Sequence, residues 1–96
     1  MITSESIVRV TSEQVSTELG GEVAILSLSN GVYYGLDDVG TFVWRQIQNP
    51  CRVQELERAI LGEYDVDEER CRSDLYRVLG ELQGHGLIDI ETDTVA

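Results

Sequence analysis

Three sets of side chains have the types and spacing to do chemistry. The first joins Cys51, Cys71 and His85, the only two cysteines and the only histidine. Thiol–imidazole pairs serve nucleophilic catalysis, and Cys/His sets hold zinc. A closed zinc site needs four such ligands, and these residues supply too few and lack Cys-x-x-Cys spacing. Cys71 and His85 fall at opposite ends of one expected helix, about 14 residues apart at ~1.5 Å each, so they cannot meet. The second set is the adjacent pair Asp37-Asp38. It precedes a helical pattern and reads as a helix cap with a solvated neighbour, not as a proton-sharing pair. The third set, Glu63, Asp65, Asp67, Glu68 and Glu69, has the charge for calcium. It lacks the central glycine and ligand spacing of an EF-hand loop and reads as a solvated helix start. The glycines form neither GxGxxG nor a Walker pattern. The chain is therefore expected to be no enzyme on its own, with no cofactor and no metal.

Charge narrows the partners. Eighteen acids stand against seven arginines and no lysine, a net charge of −11. That balance repels phosphates and anionic membranes unless the arginines gather on one face. Arg9, Arg45, Arg52, Arg58, Arg70, Arg72 and Arg77 are instead spread over every expected element, which argues against nucleic acid and membrane partners. Residues 1–6 carry no basic or apolar signal-peptide region, and the longest aliphatic run, Val23–Leu26, is far too short for a bilayer. A cytoplasmic protein with two free, buried thiols is expected; a disulfide would require an oxidising compartment. Ninety-six residues make one domain, 1–96, with an arm at 1–12 and a tail at 91–96 less ordered.

The elements follow from periodicity. Ile7–Val10 alternates and is either a short strand or an ordered arm. Gln14–Leu19, Glu22–Ser29 and Val32–Leu36 are extended runs separated by Gly20-Gly21 and Asn30-Gly31, both two-residue hairpin signals. They predict a three-stranded antiparallel meander with Val32–Leu36 at one edge. Two-residue turns would pair Ser29 with Val32, Ser27 with Tyr34 and Ile25 with Leu36. Val23, Ile25, Val32, Tyr34 and Leu36 then share one face, and Val15, Ala24, Leu26, Leu28 and Tyr33 the other. Both faces are partly apolar, so either helices wrap the sheet or one face binds something. Tyr34, in phase with Leu36, is expected to fill the core.

Three helices follow. Asp38–Ile47 carries Val39, Phe42, Val43 and Ile47 on one side and ends at Asn49-Pro50. Arg52–Tyr64 carries Val53, Leu56, Ile60 and Tyr64, with Cys51 as a poor N-cap. Glu68–Gln83 is capped by Asp67, with Val66 stapled onto Cys71 and an apolar face of Cys71, Leu75, Val78, Leu79 and Leu82. Leu87–Ile90 is a short final strand or a segment packed on the core. The order β-β-β-α-α-α is α+β, winged helix-turn-helix-like.

Such a fold has two uses. A winged-helix transcriptional regulator would read DNA with the third helix, but Asp67, Glu68 and Glu69 at its start would push the duplex away. The edge strand Val32–Leu36 has no lysine or proline to blunt it and can accept an extended peptide as an added strand beside the third helix. Backbone pairing alone roughly cancels the cost of ordering the peptide, ~0.5–1.5 kcal/mol per bond against ~1–2 kcal/mol per residue. Apolar anchors must supply the affinity.

The run Gly31-x-Tyr33-Tyr34-Gly35-Leu36-Asp37-x-x-Gly40-x-x-x-Trp44 resembles the PqqD-like family. So do Val53-x-x-Leu56, Glu63-Tyr64-Asp65-Val66-Asp67 and Leu79-x-x-Leu82-x-x-x-Gly86-Leu87. The likeness spans roughly residues 14–90 in order and spacing. It implies a recognition element for ribosomally synthesised and modified peptides (RiPPs), of the free-standing lasso-peptide type. Members bind the leader of a precursor peptide as an added strand and present it to a modifying enzyme, for lasso peptides a separate cysteine leader peptidase and a cyclase. Carried over, this implies backbone pairing along Val32, Tyr33, Tyr34, Gly35 and Leu36. It also implies contacts from the exposed side of the third helix, at Asp74, Leu75, Arg77 and Val78. Cys51 departs from the family's usual capping Thr or Ser.

Overall fold

The computed structural model describes residues 2–92. Period-two runs before Leu36 form strands, and 3.6-residue periodicity after it forms three helices. The strands are β1 (Ile7–Val10), β2 (Gln14–Leu19), β3 (Glu22–Ser27), β4 (Tyr33–Gly35), β5 (Cys51–Arg52) and β6 (Ile88–Glu91). The helices are α1 (Asp38–Gln46), α2 (Val53–Glu63) and α3 (Glu68–Gly84). The class is α+β, as expected, but with two small antiparallel sheets where the sequence reading had one.

The meander β2-β3-β4 is present. Its first hairpin turns at Gly20-Gly21, both at positive φ, with Leu19 opposite Glu22. The second hairpin is wider than expected. Ser27 N–H donates to Val32 O at 2.9 Å, and Gly31 N–H returns to Ser27 O at 2.8 Å. Tyr34 therefore faces Ile25, not Ser27, and Tyr33 faces Leu26. Asn30 does not take the positive φ that a tight I′ turn demands of both central residues. Its side chain instead accepts from Val32 N–H at 2.9 Å, which favours the longer loop. Because the slip is two residues, the faces survive it.

The second sheet runs β5-β1-β6. Ile7–Val10 is its middle strand, paired with Arg52 and Cys51 on one side and with Glu91 to Ile88 on the other. β5 escaped sequence reading because two residues carry no periodicity. Of the tail expected from residue 91, positions 93–96 lie outside the described residues. Glu91 pairs with Arg9 at 2.9 Å, and Ser6 and Thr92 hydroxyls meet at 2.8 Å.

The core lies between β3 and the helices. Val23 and Ile25 meet the layer of Val43, Trp44, Ile47, Leu56, Ile60, Leu75, Leu79 and Leu82, all buried, and Val8 and Ile88 close it from the second sheet. Phe42 and Tyr64 make an edge-to-face contact, centroids 5.7 Å apart. Asp37 caps α1 through Gly40 N–H at 2.8 Å, and Asp67 caps α3 through Arg70 N–H at 2.8 Å. The N-cap of α2 is Arg52, one residue later than Cys51. It has no acceptor, and Glu55 instead takes its N–H at 3.1 Å. Val66 stays exposed at 41%, so it is no staple. Among the described residues no helix is long and apolar enough to cross a membrane, and no group of three or more His, Cys, Asp or Glu is placed to hold a metal.

Both cysteines are free; Cys71 is buried and Cys51 only partly so. Burial first, and the Glu55 carboxylate second, push the Cys51 thiol up to about 11. A thiol raised on folding contributes its full stability below the unfolded value, 9.0, and loses it as pH climbs towards 11. At pH 8 a thiol reagent should modify Cys51 at least about 10-fold more slowly in the folded protein than in urea. Equal rates would refute the burial argument. In urea titrations Leu79→Ala should cost ~2–5 kcal/mol as a core truncation, and Asp67→Ala about 1 kcal/mol as a lost cap.

Candidate functional site: the groove between β4 and α3

β4 is an edge strand. The order β2-β3-β4 leaves its second side without a partner strand among the described residues. Val32 and Leu36 bond across to β3, through Val32 O and through Leu36 N–H to Val23 O at 2.9 Å. Alternation along an antiparallel ladder then turns the N–H and C=O of Tyr33 and Gly35 towards the free edge. No lysine, proline or bulge protects it.

The junction after β4 fixes where this edge lies. Asp37 stops the strand by capping α1. Thr41, on the first turn, accepts Val23 N–H at 3.0 Å and donates to Leu36 O at 3.4 Å. Gly40 packs under this junction: a Cβ there would sit 3.1 Å from Asp37 Oδ1 and 3.3 Å from Leu36 Cβ. The chain thus swings away from the sheet at once.

Facing the edge is one side of α3. Between them lies a cavity of about 240 Å³. Tyr34, Gly35 and Leu36 form its sheet wall, Asp37 and Gly40 its end, and Arg77, Val78, Glu81, Leu82 and His85 its helical wall. Tyr34 and His85 meet across the gap with ring centroids 4.3 Å apart and a 30° tilt. The charged groups are already engaged: Arg77 pairs with Glu81 at 3.4 Å, and Asp37 with the α1 terminus. The cavity offers polar surface from Arg77 and Glu81 beside apolar surface from Leu36, Val78 and Leu82, room enough for side chains of both kinds.

The nine residues expected at a peptide site divide clearly. Tyr34, Gly35, Leu36, Arg77 and Val78 line the cavity. Val32 and Tyr33 are exposed beside it, at 45% and 69%. Asp74 lies outside the lining and pairs with Arg70 at 3.8 Å. Leu75 was expected on the exposed side of the helix and is instead fully buried. It lies nearer the phase of Leu79 and Leu82 than that of Arg77, so it faces the core. Tyr34 is half-buried: it packs on the core, as expected, and also walls the groove. Sequence reading missed Glu81, Leu82 and His85 as groove residues. Their signal was the spacing 78, 81, 82 and 85, which continues one helical face from Val78.

On its other face the sheet is uncovered. Val15, Leu26 and Tyr33 are cross-strand neighbours in one row, and Val15 is 56% exposed. Of the two possibilities for this two-sided apolar sheet, the helices cover only the Ile25 face.

The family profile described as "Coenzyme PQQ synthesis protein D (PqqD)" matches residues 22–88. No curated protein matches the chain. Among solved structures, one described as "TbiB1 in Complex with the TbiA(beta) Leader Peptide" superposes with a TM-score of 0.81 at 33% identity. The match covers 88% of this chain and 99% of that one. A second, "Lasso peptide synthetase B1 complexed with the leader peptide", has a TM-score of 0.77 over 85% of this chain and 96% of that one. At 16% identity that likeness is one of fold. The profile match over well more than half the sequence, carried on this arrangement of sheet edge and helix, places the chain in the PqqD family.

Proposed function

We propose that residues 1–96 form a non-catalytic RiPP recognition element, a protein that binds the leader region of a precursor peptide by strand addition. The leader adds to β4 and is presented to a separate cysteine leader peptidase, with a cyclase, in lasso-peptide biosynthesis. The observation that carries this reading is the unpaired edge of β4 facing α3 across a cavity of mixed polar and apolar lining. The two similar structures described as complexes with leader peptides support it.

Magnitudes agree with this division of labour. Tyr33 and Gly35 offer about four backbone bonds, each worth ~0.5–1.5 kcal/mol net. Ordering some five peptide residues costs ~1–2 kcal/mol apiece. Side chains entering the cavity must therefore provide the surplus, at ~1.5–3 kcal/mol each. Leaders with a Tyr-x-x-Pro-type motif carry suitable anchors, and two or three would bring affinity to the micromolar range, about −8 kcal/mol.

We read the helical half, α1-β5-α2-α3-β6, as a winged-helix-like scaffold put to peptide binding. A DNA-reading role is disfavoured by Glu68 and Glu69 in the first turn of α3 beside the capping Asp67. It is further disfavoured by arginines engaged elsewhere: Arg9, Arg45, Arg70, Arg72 and Arg77 each pair with an acid.

Fluorescence polarisation tests the assignment. A labelled leader bearing Tyr-x-x-Pro, or the TbiA(beta) leader, should bind at micromolar concentration or below. Duplex DNA at low salt should not bind; the reverse result ends the proposal. The register makes a sharper test. Tyr33→Pro removes an outward N–H that the β3 ladder does not use, so it should leave melting nearly unchanged while weakening leader binding at least about 10-fold. Normal binding by a folded Tyr33→Pro variant would rule out strand addition along this edge.

A further inference from the structure

β2 is the other edge of the meander, and it is as open as β4. The order β2-β3-β4 gives its far side no partner strand among the described residues. It is also bare on both faces. Five of its six residues are exposed, including Ser16 and Glu18, whose cross-strand neighbours Ile25 and Val23 are buried. The helices therefore cover β3 and stop short of β2. Edges are usually blunted by lysine, proline, a bulge or short length. β2 pairs with β3 without interruption from Gln14 to Leu19, and that run holds no lysine, proline or glycine.

The ladder decides which backbone groups face outward. Leu28 N–H donates to Glu13 O at 3.0 Å, and the same alternation turns Val15, Thr17 and Leu19 towards β3. The free N–H and C=O groups belong to Gln14, Ser16 and Glu18. This edge is complementary to itself. An antiparallel copy related by a two-fold axis at Ser16 sets Ser16 opposite its own counterpart and Gln14 opposite Glu18 of the copy, with about six backbone bonds. Glu18 keeps its Arg45 partner, 2.6 Å away, and meets a neutral amide. An axis at Glu18 would put two carboxylates face to face, and one at Val15 or Thr17 would use fewer bonds within β2.

The Ser16 register also joins the uncovered faces. Val15 stands opposite Thr17 of the copy, so the row Tyr33, Leu26, Val15 runs on into that Thr17 and its neighbour Ala24. There is room for the helices. α1 packs on β3, and β3 and its copy would lie three strand spacings apart, about 14 Å. That exceeds the ~10–12 Å diameter of a helix.

We propose that β2 is a self-association edge, to which a second copy of this chain adds to give a six-stranded sheet in the order β4-β3-β2-β2-β3-β4. The two β4 edges then stand at opposite ends, and each copy keeps its own groove. Repulsion between chains of net charge −11 opposes association, and salt screens it. The dimer should therefore strengthen as ionic strength rises.

Sedimentation velocity of the full chain tests this. One pair of edge strands is a small interface, so a dimer is expected on approaching about 1 mM protein. Its fraction should be greater at about 0.5 M than at about 0.05 M NaCl. Ser16→Pro removes one outward N–H from each copy, two bonds in the dimer, and should weaken association at least about 5-fold with melting nearly unchanged. Ser16→Glu leaves the backbone intact and sets two acids across the axis, so it should also weaken association. Under mild oxidation Ser16→Cys should give a disulfide-linked dimer, whereas Thr17→Cys, which does not face itself, and the parent chain should not. A chain that stays monomeric in both salts, or a dimer unchanged by Ser16→Glu, overturns the proposal. So does a dimer that dissolves when the labelled leader is added, because β2 would then be an edge for peptide and not for a second copy.

Discussion

The free edge of β4 exists because the chain leaves the sheet abruptly. An antiparallel meander that continued through another tight turn would cover that edge with its own fourth strand. Three interactions within a few residues prevent it. Asp37 accepts Gly40 N–H, Thr41 bonds to both Val23 and Leu36, and the absent side chain at Gly40 lets the helix start pass close under Leu36. A helix begins where a strand might have gone, and it carries the chain to the covered face. α3 then returns along the vacated side without pairing to it. A helix has its backbone groups bonded internally and cannot satisfy a strand edge. The protein thus keeps a row of unsatisfied backbone groups beside a helical wall, the arrangement that β-augmentation requires.

Electrostatics sets the context for that edge. The chain is strongly acidic, yet its arginines are spent one by one in local pairs: Arg9 with Glu91, Arg45 with Glu18, Arg77 with Glu81. These are exposed pairs and contribute little to stability. Their consequence is selective. They set an acid beside each of these arginines, and at the groove the Arg77–Glu81 pair stays exposed. On the proposed function, recognition there uses the backbone edge and the apolar part of the groove, which salt screens little.

Much of this was legible in the sequence, and what was not has identifiable causes. The helices, two of their caps and the three-stranded meander were readable because periodicity and capping chemistry are local. Asp37 and Asp67 cap as their types suggest. The Asn30-Gly31 turn was misjudged by two residues because Asn30 spends its side chain on Val32 N–H instead of adopting positive φ. The second sheet was only half visible: Ile7–Val10 alternates, but its partners Cys51 and Arg52 are too few to show a period. Leu75 was read both as part of the apolar face and as an exposed peptide contact; its phase follows Leu79 into the core, so only the first reading holds. His85 was weighed only as a zinc ligand and as a partner for Cys71. No local pattern says that a helix end will stand 4.3 Å from a tyrosine fifty-one positions earlier.

The adjacent tyrosines show how one strand can serve two surfaces. Successive side chains of a strand point to opposite faces, so Tyr34 looks into the groove while Tyr33 joins Val15 and Leu26 on the uncovered face. A peptide added along β4 inherits the same alternation. Every second residue would face α3, and the residues between would extend the apolar row. On the proposed function, binding and presentation are therefore not separate devices. The register that buries the anchors also decides which leader residues stand beside the row of Val15, Leu26 and Tyr33. A one-residue slip would exchange the two sets. Apolar anchors thus set register as well as affinity, since backbone bonds alone are indifferent to which residue lies opposite Gly35.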